Sequence, residues 1–356
     1  MDVAGERPGA AGLASAVEAV PGFYVALELL GDGQCCRPGL PFAPLTLAVI
    51  RATATGAALA AVTAPSPYGT FIGVTAAADN RTFVLAAQKV AQLPLTTPPA
   101  TRFFLLRIDP DGGVLGGQEP LTSLPVPEQP PGREVCGLAL SPDAARLAVT
   151  AGRLTAPALR IFSLATGHER VWDGPVGPGY GPGAAYGSLS WDAAGQTLAL
   201  ITSGIGPDSG VRLLDTTAPG SRLLDSSRLV LPSPPRGPEN WSGNYWRQVM
   251  ISADGQTIIA VLQLDGRLGS ADRVTQKLVT FSASTGELLH TLNHIPVHGG
   301  YQQVLWASPS AQLLIVSGTQ PGPTVGSFNL GHSAGTLTGG RFTPLPWSNR
   351  TFAAAW

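Results

Sequence analysis

One pattern recurs along this chain: two short apolar runs separated by a tight polar turn. It is plain in LALSPDAARLAV at 138–149 and in VMISADGQTIIAV at 249–261. Turns rich in Asp, Asn, Ser, Gly and Pro between runs of this length are typical of tight β-hairpins. The pattern occurs at 72–87, 135–149, 188–201, 248–261 and 303–316. Self-similarity of this kind predicts a repeat architecture built from hairpins.

A second type of hairpin follows each of these. It has an apolar strand, a few small polar residues and then Gly, which readily supplies the positive φ of a hairpin turn. Its copies lie at 47–62, 104–115, 159–172, 211–224, 278–292 and 325–337. Two consecutive hairpins give four strands, which is the composition of a propeller blade.

The two ends of the chain complement each other. RTFAAAW at 350–356 reads as a first strand with nothing after it, and FYVALELL at 23–30 reads as a second strand with nothing before it. We therefore predict an all-β, six-bladed β-propeller with four-stranded blades. Its ring is closed by N- and C-terminal strands that share one blade, with 352–356 innermost. Two stacked β-sandwiches are the alternative.

Composition supports one folded domain over 22–356, preceded by a flexible leader at 1–21. The chain has 356 residues, of which 44% are hydrophobic, so 44 Gly and 33 Pro indicate turns between strands rather than disorder. A net charge of −1 gives no basic field for nucleic acid or an anionic membrane. No run reaches the roughly 18 apolar residues of a membrane span. We expect a soluble monomer, either cytoplasmic or the exposed domain of a membrane-anchored protein.

The repeat units resemble those of bacterial WD40-like and TolB-like β-propellers. SPDAARLAV at 141–149 carries the S-P-D-x-x-x-L-A-V unit, and LRIFSLATG at 159–167 and LVTFSASTG at 278–286 carry L-x-x-F-S-x-x-T-G. The resemblance covers 22–356 and implies the propeller fold, with little about activity. Scarce Lys with abundant Ala, Gly, Pro and Arg also suits a bacterium with a high-GC genome.

Three motifs that could signal catalysis or a metal are better explained as structure. GHSAG at 331–335 matches the G-x-S-x-G of α/β-hydrolases, but no helix-forming segment follows it, and no Asp, Glu or His follows Ser333. We predict a hairpin turn there. His290, His294 and His298 would share a helix face, but Pro296 breaks any helix. DPDGG at 109–113 is predicted to be a turn. The sequence thus predicts no catalytic residue, no metal and no cofactor.

Loop lengths select one face of the predicted propeller as functional. The turns within hairpins are short, whereas the links between hairpins are long, at 31–44, 89–101, 174–186, 232–245, 264–275 and 293–301. Long loops on a rigid scaffold are where binding residues usually lie. The innermost strands begin at this face, around the channel mouth. The candidate ligand-binding residues there are Tyr68, Thr70, Arg133, Glu134, Tyr186, Tyr245, Trp246, Arg247, His298, Tyr301, Gln302, Asn349 and Arg350.

Tyr and Arg are enriched at binding hot spots, so these residues favour a non-catalytic scaffold or sensor module. Its expected ligand is a protein, peptide or carbohydrate. An anionic ligand is favoured, because Arg133, Arg247 and Arg350 face only Glu134 as a nearby acid. In an alternative, the tyrosines merely plug the channel. A propeller hydrolase or lactonase with a metal in the channel is another alternative.

Overall fold

The protein is described here by a computed structural model. It covers residues 22–29, 46–89, 99–117, 119–153, 158–174, 186–202, 208–218, 221–234, 245–264, 274–297, 301–307, 313–319, 331–338, 341–344 and 351–355. These residues form 24 β-strands and one four-residue helix. The predicted leader at 1–21 lies outside the described residues.

The strands follow one another in the predicted pairs of hairpins. In chain order they are β1 (Phe23–Leu29), β2 (Thr46–Ala52), β3 (Ala58–Thr63); β4 (Tyr68–Ala76), β5 (Thr82–Lys89), β6 (Thr101–Arg107), β7 (Leu121–Ser123); β8 (Arg133–Leu140), β9 (Arg146–Arg153), β10 (Ala158–Ser163), β11 (Glu169–Asp173); β12 (Tyr186–Trp191), β13 (Thr197–Thr202), β14 (Gly210–Asp215), helix α1 (Leu223–Ser226), β15 (Ser227–Pro232); β16 (Tyr245–Ile251), β17 (Thr257–Leu264), β18 (Val274–Ser282), β19 (Leu288–Val297); β20 (Tyr301–Ala307), β21 (Leu313–Thr319), β22 (Gly331–Thr338), β23 (Arg341–Pro344); and β24 (Thr351–Ala355).

All sheets are four-stranded and antiparallel, and five of them follow simple chain order. The remaining sheet has the order β24-β1-β2-β3, so strands from both ends of the described chain share it. Ala26 lies opposite Ala354, and Leu27 opposite Ala353. We number the blades by their sheets: blade 1 holds β24 and β1–β3, blade 2 β4–β7, blade 3 β8–β11, blade 4 β12–β15 and blade 5 β16–β19.

Alternation of apolar residues along the strands gives each blade two faces that pack against its neighbours. Four buried clusters join the blades pairwise. One lies between blades 1 and 2 around Phe71, and one between blades 2 and 3 around Phe103. The others lie between blades 3 and 4 around Trp172, and between blades 4 and 5 around Trp246. Burying an aromatic or aliphatic side chain contributes about 1.5–3 kcal/mol, so these interfaces hold the blades together.

The prediction of a six-bladed closed ring requires correction. Side-chain packing between neighbours is described for five blades. The sheet β20–β23 is described as backbone alone: β20 approaches β16 and β24, but the side chains of β20 lie outside the described residues. The structure therefore describes five packed blades and a further four-stranded sheet, and closure of the ring is not described.

Side-chain hydroxyls hydrogen-bond the backbone of the next innermost strand. Ser188 of β12 accepts from the Val249 amide and donates to its carbonyl, both at 3.1 Å, and Ser190 accepts from the Ile251 amide at 3.1 Å. Thr75 of β4 likewise accepts from Leu140 of β8 at 3.0 Å. An innermost strand has one edge outside its own sheet, and these bonds satisfy amides on that edge.

Short turns form the end of the blades opposite the innermost-strand starts. Asp79, Asp143, Asp192 and Asp254 occupy equivalent places in four first-hairpin turns, where each carboxylate accepts backbone amides. Hydrogen bonds also join turns of adjacent blades, from Ala78 to Pro142 and from Ala193 to Ala253. The β14–β15 connection, which contains α1, is longer than the short turn that the sequence predicts.

Second-hairpin turns press against the preceding blade, and glycine permits the contact. Gly286 has φ +73°, and a Cβ there would lie 2.5 Å from the carbonyl oxygen of Val230 in blade 4. Gly255 has nearly the same φ, +70°, with open space around its Cα.

We predict that Gly286→Ala destabilises the protein at least twice as much as Gly255→Ala. The control carries only the left-handed backbone cost of about 1–2 kcal/mol, whereas Gly286→Ala adds a collision with a backbone oxygen. Denaturant unfolding of both variants measures the difference. Equal losses would show that the turn of blade 5 does not press on blade 4.

We predict that Ser190→Ala lowers the free energy of unfolding by about 1–3 kcal/mol, because the Ile251 amide loses its partner. Ser221→Ala, which changes an exposed serine, is the control and should stay within about 0.5 kcal/mol of the parent. Urea unfolding provides the measurement, and indistinguishable variants would contradict the role of the hydroxyl.

Candidate functional site

The innermost strands of blades 2 to 5 begin with large polar or aromatic residues. β4 starts at Tyr68, β8 at Arg133, β12 at Tyr186 and β16 at Tyr245, and the first strand of the further sheet, β20, starts at Tyr301. Strands β12 and β16 run in the same direction, because Ser188 meets Val249 and Ser190 meets Ile251 with a constant offset in number. Their starting residues therefore share one end of the blades, which we call the mouth.

A β-bulge lies near the start of the innermost strands β4, β8, β12 and β16. The register shifts between Val135 and Gly137, between Gly187 and Leu189, and between Trp246 and Gln248. Shifts also occur in β4 and β20. A bulge inserts a residue without a cross-strand partner and changes the direction of its side chain. In β16 the inserted residue is Arg247.

Arg247 is exposed, yet its orientation is fixed by two contacts. Its Nε donates to Oε1 of Gln263 at 2.6 Å, and its guanidinium carbon lies 5.0 Å from the centre of the Tyr245 ring. Gln263 is buried, and it also accepts from the buried Gln276 at 3.3 Å. Within the described part of the chain, nothing else engages the two terminal amino groups of Arg247. Those groups form the outward end of a fixed, planar donor fork.

Other predicted site residues are built into the fold. Trp246 is 8% exposed, donates from Nε1 to the Pro232 carbonyl at 3.2 Å and packs edge-on against Phe281. Thr70 and Tyr68 are both 7% exposed. These three side chains are therefore buried beneath the mouth. Their burial fits the alternative interpretation, in which the aromatic residues plug the channel.

Tyr68 belongs to a charged cluster in blade 2. Its hydroxyl donates to Glu128, whose other carboxylate oxygen accepts from Lys89 Nζ at 2.7 Å. Burial raises the pKa of Tyr68, and the hydrogen bond to Glu128 raises it further. The hydrogen bond from Lys89, followed by that from Tyr68, lowers the pKa of Glu128. Glu128 therefore remains ionised and neutralises Lys89.

Several predicted site residues, or their side chains, lie outside the part of the chain that the structure describes. His298, Asn349 and Arg350 lie outside the described residues, as do the side chains of Glu134, Tyr186, Tyr301 and Gln302. Most of the six long loops also lie outside them. The roles predicted for these residues and loops stay predictions.

The motif residues occupy strands and turns. GHSAG was predicted to be a turn, and this is wrong: Gly331 opens β22, and Ser333 lies within the strand opposite Ser317. The expected hairpin at 325–337 is the β22–β23 hairpin at 331–344. His290 and His294 lie in the outermost strand β19, and 109–113 forms a turn closed by the Asp109–Gly113 backbone pair.

Two observations limit other kinds of site within the described residues. No group of three His, Cys, Asp or Glu side chains there converges in a way that could hold a metal ion. None of the helices found there is long and apolar enough to cross a membrane.

Residues that the sequence did not single out complete the mouth. Glu128 and Lys89 pair with Tyr68, Gln263 anchors Arg247, and Arg153 lies opposite Arg133. In a hairpin, the first residue of the innermost strand lies opposite the end of the strand that follows it. Aligning these positions in the sequence would therefore have identified Lys89, Arg153 and Gln263. Glu128 had no such signal, since it lies in an irregular segment.

Comparison with known proteins identifies the fold alone. No family model matches the chain, and no curated protein matches its sequence. TolB from Acinetobacter baumannii superposes with a TM-score of 0.54 at 14% identity, covering 94% of this chain and 66% of TolB. Prolyl oligopeptidase B from Galerina marginata gives a TM-score of 0.49 at 13% identity, covering 93% of this chain and 41% of that enzyme. The chain is a β-propeller similar in fold to TolB and spans just under two thirds of its length.

We predict that Glu128→Gln lowers the melting temperature at pH 7 but not in acid. A lowered folded-state pKa means that the carboxylate stabilises the fold above its ordinary value of 4.5, and that this stability is lost as pH falls through the folded-state value. The two melting temperatures should therefore converge as the pH falls below the lowered folded-state pKa of Glu128. Glu119→Gln, which removes an exposed carboxylate of the same blade, is the control. A gap that persists in acid would contradict the ion pair.

Proposed function

We propose that the protein is a non-catalytic binding module that holds an anionic ligand at the mouth. The TolB-like propeller supplies a rigid scaffold, and the mouth supplies the recognising groups. The observation that carries the proposal is the arrangement of Arg247 on its bulge. The ligand class is a peptide or protein segment, or a carbohydrate, that carries a carboxylate or comparable anion.

Three properties of Arg247 support this role. The hydrogen bond to Gln263 uses Nε, so the two terminal amino groups stay available for a bidentate grip on a carboxylate. The Tyr245 ring beneath the guanidinium restricts its motion, which lowers the entropy lost on binding. The ring also offers an amphipathic surface beside the charge, suited to the flank of a peptide.

Two other basic side chains that the structure describes differ from Arg247 in being paired with a carboxylate. Lys89 is paired with Glu128. The half-buried Arg51, near the turn end of blade 1 opposite the mouth, is paired with Glu28 at 2.5 Å. A positive charge that is fixed in place, exposed and unpaired is the feature expected of a recognition residue rather than a structural one. Interaction of such a charge with a carboxylate contributes roughly 1.5–3 kcal/mol when the pair is partly desolvated.

We predict that Arg247→Ala weakens binding of an acidic peptide by about 10- to 100-fold, the equivalent of roughly 1.4–2.8 kcal/mol. Arg247→Lys should give an intermediate loss, because Lys keeps the charge but not the fork. Fluorescence anisotropy with fluorescein-labelled hexaglutamate measures both, and labelled hexaglutamine tests for dependence on charge.

The matched control is Arg81→Gln, which removes one positive charge from an exposed turn at the opposite end of blade 2. It should leave affinity and melting temperature nearly unchanged. If Arg81→Gln and Arg247→Ala weaken binding equally, the attraction is a general effect of net charge, and the proposed site is wrong.

A further inference from the structure

Blade 3 departs from the other blades at the mouth. In blades 2, 4 and 5 a tyrosine opens the innermost strand and lies opposite Lys89, Thr202 and Gln263, respectively. In blade 3 the opening residue is Arg133, and its backbone register partner on β9 is Arg153, whose side chain lies outside the described residues. Among the described strand pairs, this is the one that sets two permanently like-charged residues directly opposite each other.

Like charges at directly opposite positions destabilise an antiparallel pair. Elsewhere in the molecule such a charge is compensated: Lys89, at the equivalent position in blade 2, is paired with Glu128. Arg133 is half-buried, and its guanidinium has no hydrogen bond or ion pair within the described part of the chain. A partly desolvated, uncompensated guanidinium is costly, and the cost falls when an anion binds.

We propose that Arg133 and Arg153 form a second anion subsite at the mouth, distinct from Arg247. The proposal rests on the proposed function and extends it to the ligand's chemistry. Strand β12 lies between β8 and β16, so the two subsites belong to blades separated by one blade. A ligand that occupies both is extended and carries two separated acidic groups, as an acidic peptide segment does.

The binding experiment compares two labelled hexapeptides, hexaglutamate and a hexaglutamine with one glutamate in the middle. Arg133→Gln and Arg153→Gln should each weaken hexaglutamate by about tenfold and leave the single-glutamate peptide, held by Arg247, within about twofold. Arg247→Ala should weaken both peptides. If the blade 3 variants change neither peptide while Arg247→Ala weakens both, the second subsite is wrong and the proposed function stands.

A second measurement does not depend on the peptide. At low ionic strength, Arg153→Gln should raise the melting temperature by about 1–3 °C, because the repulsion is removed. Sodium sulfate should stabilise the parent more than sodium chloride of equal ionic strength, and this excess should vanish in Arg153→Gln but persist in Arg81→Gln. If wild type binds neither peptide yet shows this sulfate effect, the subsite stands and the acidic-peptide function falls.

Glu134, next to Arg133 in the chain, offers an alternative source of negative charge for the arginine pair, in place of a bound anion. If its carboxylate already neutralises the pair, Glu134→Gln will lower the melting temperature and create the sulfate effect, which the parent will lack. That result overturns the subsite. A parent that responds to sulfate, with Glu134→Gln responding at least as strongly, supports it.

Discussion

The free edge of the innermost strand is the constraint on which this architecture depends. Each such strand pairs with its own sheet along one edge, and amides along the other edge need partners from outside that sheet. The hydroxyls of Thr75, Ser188 and Ser190 meet this need by bonding the backbone of the next blade. A side-chain bond of this kind also fixes the height of one blade relative to its neighbour. The common level of the innermost-strand starts, and therefore the mouth itself, follows from it.

Arginine has two separate uses in the molecule. Arg170 and Arg228 reach across to backbone carbonyls of the next blade, at 2.7 Å from Thr216 and Ala283, and Arg146 does the same at Gly195. These three guanidiniums donate hydrogen bonds to turns at the end opposite the mouth, where they help to hold blades 3, 4 and 5 together. Arg133 and Arg247 make no such inter-blade contacts among the described residues. The chain is nearly neutral overall, yet among the described residues Arg133 and Arg247 have no acidic partner at the end where the innermost strands begin.

The sequence predicts those parts of the structure that follow from local rules. Alternating apolar runs and turn residues locate the hairpins, and the starts of β4, β8, β12, β16 and β20 follow from them. The bulges were not predictable, because an extra residue such as Arg247 leaves the apolar pattern almost intact. GHSAG was misread because small residues suit both turns and strands, and the pairing with β21 decides between them. Glu128 was missed because its position depends on an irregular segment that returns to Thr101 through two backbone hydrogen bonds.

Many of the described hydrogen bonds between blades lie at one end of the blades, and the residues that we propose to bind the ligand lie at the other end. The turns opposite the mouth carry the Asp-capped hairpins, the turn-to-turn hydrogen bonds and the arginine contacts between blades. At the mouth, the contacts described for the exposed Arg247 lie within one blade. An exposed mouth side chain such as Arg247 can therefore change with little effect on blade packing, whereas a change at Gly286 affects two blades at once. This division supports the proposed function. Among the described residues the guanidiniums of Arg133 and Arg247 make no contact between blades, so they remain available to the anionic ligand that we propose.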